Sequence, residues 1–186
     1  MSKNTFMPRD RDRWLWLSAL VLAALHGPEA VSMRPSAPVN ACALLQDSEV
    51  TVVMGVPVAS GVRDDSGPVT SGPYAAPGAY SSTCLWRVRG APVREAGYAI
   101  LNVINWPTGR ADAHKFLQSF WDAARDGDID QQSVPLGIAD ESLWWGDGVA
   151  VRKGAVSFGI SVHLPGRREQ ERALEEELAR KIVARL

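Results

Sequence analysis

The sequence predicts an α+β fold, an antiparallel β-sheet packed with amphipathic helices. Two observations carry this: β-rich runs separated by turn residues, and a 3.6-residue apolar period that appears only in the middle and near the end of the chain. The resulting order is α-β-β-β-α-β-β-β-α. With 186 residues, 46% of them hydrophobic and 22% charged, the chain suits one globular domain with a sizeable core. No internal repeat or domain linker is evident.

The elements can be justified in order. In "QDSEVTVVMG", Asp47 can cap a short helix, Glu49 falls in its first turn and Gly55 supplies a left-handed stop. "VPVASGVR" then reads as a strand. From Asp64 to Tyr80 the chain is rich in Gly, Pro and Ser and follows neither period, which predicts a mobile loop. "STCLWRVR" and "GYAILNVINW" are strands joined by a longer connection. Thr108 is the expected N-cap of the central helix. Its apolar stripe is Ala113, Phe116, Leu117, Phe120, Trp121 and Ala124, and it ends at Gly127. "GDG" and "RKGA" are turns within "SLWWGDGVAVRKGAVSFGISVHL", so this segment reads as a three-stranded meander. A last helix follows, with Leu174, Leu178, Ile182 and Leu186 on one side.

The N-terminus reads as an export signal. Lys3, Arg9, Arg11 and Arg13 form a basic region diluted by Asp10 and Asp12, and "WLWLSALVLAAL" follows. A membrane span needs roughly 20 apolar residues and a signal core roughly 7 to 15, so this run fits a cleavable signal. Ala30 and Ser32 have the small-residue spacing that places cleavage after residue 32. This divides the chain into a signal peptide 1–32, a flexible segment 33–41 and a single α+β domain 42–186 that is periplasmic or secreted. It touches membrane only through the signal before cleavage. The formal net charge of -1 leaves no basic excess for phosphates, so nucleic acid is not an expected partner.

Cys42 and Cys84 are the only two cysteines. "VNAC" is lipobox-like, but the apolar run ends at Leu25, whereas lipidation acts beside the membrane. A catalytic thiol needs a base, and neither His114 nor His163 stands beside a cysteine in a motif. The favoured reading is a Cys42–Cys84 disulfide in an oxidising compartment. On chain-entropy grounds, closing such a loop stabilises by roughly 4 kcal/mol.

"CALLQDSEVTVVMGVPV", a Gly/Pro/Ser-rich gap, "SSTCLWRV", the central helix, "WWGDGVAVRKGAVSFGISV" and a C-terminal helix together resemble a group of uncharacterised exported bacterial proteins. The pattern Cys-x-Leu-Leu…Cys-x-Trp is similar to actinobacterial lipoproteins and, more distantly, to sensor domains of mycobacterial receptor kinases. The resemblance covers roughly residues 40 to 186 and implies no catalytic residues. By analogy it points to a PsbP/Mog1-like α/β/α arrangement. Where that group tends to have Thr, this chain has Gln46, which should break the Thr-x-x-Glu capping box and leave Asp47 as the cap.

Several residues invite functional readings. "DGDID", Asp126 to Asp130, alternates carboxylates like a calcium loop, but Gln131 and Gly137 occupy positions that such a loop reserves for Gly and Glu. No metal or other cofactor is expected. His163 could act as a base, yet no nucleophile motif accompanies it. The charges of "RREQERALEEE" recur at helical spacing with both signs, which suits surface pairing. Trp144 and Trp145 are adjacent in a strand and must point to opposite faces, so one should be core and the other loop-covered or partner-facing.

The leading expectation is therefore a non-catalytic binding or assembly module of the cell envelope. Its candidate surface comprises Trp144, Trp145, Tyr74 and Tyr80, and its partner is an envelope protein or small ligand. The alternatives are a hydrolase-like enzyme with a site near His163 and an inhibitor or immunity-type protein.

Overall fold

The computed structural model describes residues 39–70, 75–90, 92, 96–129 and 132–186. The export signal expected over residues 1–32 lies outside them, as do Tyr74 and the end of the "DGDID" segment, Asp130 with Gln131. Eight strands form one antiparallel sheet, with three helices packed on it. The chain runs through a 3-10 turn at Ala41–Ala43, α1 (Asp47–Met54), β1 (Val62–Arg63), β2 (Gly67–Pro68), β3 (Tyr80–Arg87), β4 (Tyr98–Asn105) and α2 (Arg110–Asp126). It continues through β5 (Val134–Pro135), β6 (Glu141–Trp144), β7 (Val149–Lys153), β8 (Val156–His163) and α3 (Arg168–Val183). The sheet order is β1-β3-β4-β8-β7-β6-β5, and β2 also pairs with β3. Among the described residues no helix is long and apolar enough to cross a membrane.

Alternation along the strands fills both faces. Ala99, Leu101 and Val103 of β4, Val149 and Val151 of β7, and Phe158, Ile160 and Val162 of β8 all join one core with α1 and α3. α3 contributes Leu178, Ala179 and Ile182 to it, and α1 contributes Val50, Val53 and Met54. Opposite residues such as Leu143 and Ala150 meet α2 on the second face, through Leu117 and its aromatic neighbours. The helical stripe predicted around Leu117 therefore packs as core, and the β6–β7–β8 meander forms as expected.

The disulfide Cys42–Cys84 is present, with Cα atoms 5.0 Å apart, and fastens the start of the domain to β3. Ala41 belongs to the packed domain rather than to a flexible lead-in. It is fully buried, and its N–H donates to Ser82 Oγ at 3.1 Å.

Other local expectations are corrected. The cap of α1 is Gln46, whose backbone N–H donates to Glu49 Oε2 at 2.8 Å. Asp47 is released from capping and instead accepts from Gly61 N–H at 3.0 Å and from Trp86 Nε1–H at 2.9 Å. Gly109 is the N-cap residue of α2, and the Thr108 hydroxyl pairs with the Asp112 carboxylate, holding it below the usual carboxylate range. "VPVASGVR" is not one strand, because only Val58 bridges to Val88 and only Val62 and Arg63 pair with β3. The stretch from Asp64 to Tyr80 is not structureless. It contains β2, and Val69 and Ala76 pack beside Ile104 and Trp106.

Candidate functional site

Trp144 closes β6 on the face covered by α3, and it is half-buried. Its Nε1–H donates to Glu175 Oε2 at 3.2 Å, and the Arg172 guanidinium lies 5.1 Å from the indole centroid. Arg172 also reaches Glu176 at 3.2 Å. Trp144, Gly146, Arg168, Glu171, Arg172 and Glu175 line a cleft of about 440 Å³. Arg168 reaches across its mouth to Asp147 at 3.2 Å.

Glu175 is the unusual member. It is only 2% exposed, although a carboxylate is rarely buried without partners. Its Oε1 accepts from Val162 N–H at 3.0 Å. The β7 ladder reaches only as far as the Val149–Ile160 pair, so Val162 lies beyond it and the side chain of α3 takes the place of a strand partner. Burial pushes the Glu175 carboxyl up to about 7. The two hydrogen bonds pull the other way, and Glu171 and Asp147 add to the rise. The positions 175, 178, 179 and 182 follow a helical apolar spacing, so periodicity could have placed Glu175 on the buried side. The surrounding charges disguise it.

Trp145 occupies the other face. Its ring lies 5.7 Å from Phe120 of α2, and a Cβ added at Gly148 would come within 3.2 Å of Trp145 Cζ2. The tighter limit comes from β8: the same Cβ would stand 2.9 Å from the Ile160 carbonyl oxygen and closer still to Ser161 Oγ, so Gly148 must be glycine for the β6–β7 turn to pass over that strand. Among the described residues, α2 packs mainly on β6, β7 and β8, and the middle of β3 and β4 lies beside it on this face. There the register aligns Val62, Leu85, Ile100 and Ser161 in one cross-strand row. Val62 is 63% exposed, and Leu85 and Ile100 are half-buried. The next row holds Thr83, Asn102 and Gly159, and a Cβ added at Gly159 would meet nothing within 4 Å. The Asn102 amide donates to Ser81 Oγ and Thr83 Oγ1, both at 2.9 Å, which keeps this part of the surface flat and internally satisfied.

Tyr80 is not beside the tryptophans. It lies on β3, which β4, β8 and β7 separate from β6. Its hydroxyl donates to Asp65 Oδ2 at 3.1 Å, Ser82 Oγ donates to Oδ1 at 2.6 Å, and Arg63 completes the cluster. Arg63 and the Ser82 hydroxyl lower the Asp65 carboxyl to about 2. This anchors the loop that follows.

His163 is exposed, with Nδ1 3.4 Å from Glu171 Oε1 and its ring 5.4 Å from that of Tyr98. A second imidazole has the better-oriented carboxylate. His114 Nδ1 lies 2.8 Å and 3.0 Å from the two oxygens of Glu141, and Arg152 holds that carboxylate at 3.0 Å. Arg152, followed by the opposing effect of burial and then His114, keeps the Glu141 carboxyl below its usual range. His114 and Glu141 are 27 positions apart with no local motif between them, so only the α2–β6 packing could reveal the pair. No serine or threonine hydroxyl is hydrogen-bonded to either imidazole among the described residues. Among those residues, too, no group of three His, Cys, Asp or Glu side chains is arranged to hold a metal.

Protein-family models, curated proteins and solved structures yield no match to this chain. The candidate sites therefore rest on their own chemistry.

Proposed function

We propose that this chain is a non-catalytic binding or assembly module of the cell envelope, and that it receives its partner on the α2 side of the sheet, along Val62, Leu85 and Ile100 beside Trp145. The observation that carries this reading is the row itself, which rises from half-buried Leu85 and Ile100 to exposed Val62. It combines aliphatic side chains, a flat hydrogen-bonded neighbour row and an aromatic edge, and the ionisable Arg87, Tyr98 and His163 align along one rim. Such a surface favours apolar contact with a protein over chemistry on a small substrate. The disulfide supports placement outside a reducing compartment, in agreement with the basic and apolar N-terminal sequence. Helices on both faces of an antiparallel sheet support the PsbP/Mog1-like arrangement and the likeness to exported actinobacterial proteins as the finer description of the fold.

A photo-crosslinking amino acid at position 85 or 100 tests the proposal, with position 52 on α1 as an apolar control that is 76% exposed. One discrete envelope adduct from 85 and 100, but none from 52, is the expected result. Equal crosslinking from all three positions, or none from 85 and 100, rejects the surface. An inhibitor or immunity-type role would use the same face. A hydrolase-like role draws support from the His114–Glu141 pair more than from His163, and it predicts activity that disappears in His114→Gln.

A further inference from the structure

The cleft beside Trp144 contains a buried carboxylate whose two observed partners can only donate. An indole N–H has no lone pair to offer, and neither has a backbone N–H. Both contacts suit an ionised Glu175. A protonated Glu175 has a hydroxyl in place of one carboxylate oxygen, and that hydroxyl is a much poorer acceptor for an N–H.

The two donors differ in what they lose. Val162 is buried in β8, so leaving its N–H without an acceptor is costly. Trp144 is half-buried at the wall of an open cleft, and its N–H can turn to water. The remaining acceptor oxygen should therefore stay with Val162, and the indole should be the group that lets go. Arg172, packed over that indole, moves with it.

We propose that Glu175 is a proton-operated latch on this cleft: ionised, it clamps Trp144 to α3, and protonated, it keeps Val162 but releases the indole together with Arg172, widening the cleft. The charged groups around it are Glu171, Arg172, Arg168 and Glu176 of α3, Asp147 in the β6–β7 turn and His163 at the end of β8. Glu171 and Asp147 oppose its ionisation, while the two N–H donors favour it. Burial brings its carboxyl to about 7, so both forms are populated close to neutral pH. The latch does not depend on the sheet-face docking proposed above, which lies on the opposite side of the sheet.

The full chain labelled with 5-fluorotryptophan tests the latch, the Trp144 resonance being the one lost in Trp144→Phe. In the wild type this fluorine signal should move between pH 5 and 9 with a midpoint near 7. In Glu175→Gln, a neutral side chain of the same shape, it should stay fixed across the range. His163→Gln separates the other nearby titrating group and should titrate like wild type. A wild-type signal that does not move overturns the latch, whatever the variants do. A transition that persists in Glu175→Gln, or one that vanishes in His163→Gln, overturns it equally.

Discussion

Trp86 donates its indole N–H to Asp47 at 2.9 Å, joining the first turn of α1 to the C-terminal end of β3 beside the Cys42–Cys84 bridge. Gly61 completes this junction by donating its N–H to the same Asp47 oxygen. A Cβ at Gly61 would stand 2.7 Å from both Cys84 Sγ and Trp86 Nε1, and neither neighbour can withdraw. Gly61→Ala should cost about 1 to 3 kcal/mol through overpacking. Trp86→Phe, which leaves Asp47 one donor short, should cost a similar amount, about 1 to 3 kcal/mol. Urea midpoints measure both, and an unchanged midpoint for Gly61→Ala would show that the junction has slack.

Loss of the disulfide should weaken the same junction from its covalent side. The double variant Cys42→Ser, Cys84→Ser should lose about 2 to 5 kcal/mol relative to the oxidised protein. Alkylation of the native, unreduced protein should modify neither cysteine. Free reaction of both would contradict the bridge.

The two tryptophans should respond differently to truncation. Trp145→Ala removes a half-buried ring from Phe120 but strands no polar group, so a loss of about 1 to 2 kcal/mol is expected. Trp144→Ala also takes a hydrogen-bond donor from buried Glu175, which should raise the loss to about 2 to 4 kcal/mol at pH 8. The gap should shrink at pH 5, where the carboxyl is protonated. Denaturant titrations at the two pH values decide this, and a gap independent of pH would detach Trp144 from Glu175.

Glu175 should also leave its mark on overall stability. Its carboxyl rises from 4.5 to about 7 on folding, so between those values the folded chain holds more proton than the unfolded one. Stability therefore falls as pH climbs through this window, by about 3 kcal/mol in total, and the penalty is absent below pH about 4. Glu175→Gln should remove this slope, leaving the variant more stable than wild type at pH 8 and nearly equal at pH 4. A wild-type slope of the opposite sign relative to the variant would be incompatible with the buried site.

The legibility of these features follows from the range of the interactions behind them. The α2 stripe and the meander could be read because periodicity and glycine turns are local signals. The two-residue strands β2 and β5 each contain a proline, Pro68 and Pro135, and are too short to alternate, so only their pairing with β3 and β6 defines them. Gln46 as a cap ran against side-chain preference and depends on Glu49 reaching back. The opposite orientations of Trp144 and Trp145 followed from strand geometry, but their neighbours Glu175 and Phe120 come from helices elsewhere in the chain. His114 with Glu141, and the aligned row Val62, Leu85 and Ile100, exist only once tertiary packing and strand register are set.

Arg185 donates to both oxygens of Glu49 and to the carbonyl of Leu44, contacts that span 136 and 141 residues. β3, β4 and the meander can pair before Arg185 emerges during synthesis, whereas the flank of α1 closes only once Arg185 has reached it. That contact closes a loop of 136 residues, a step that sequence-distant contacts make slow.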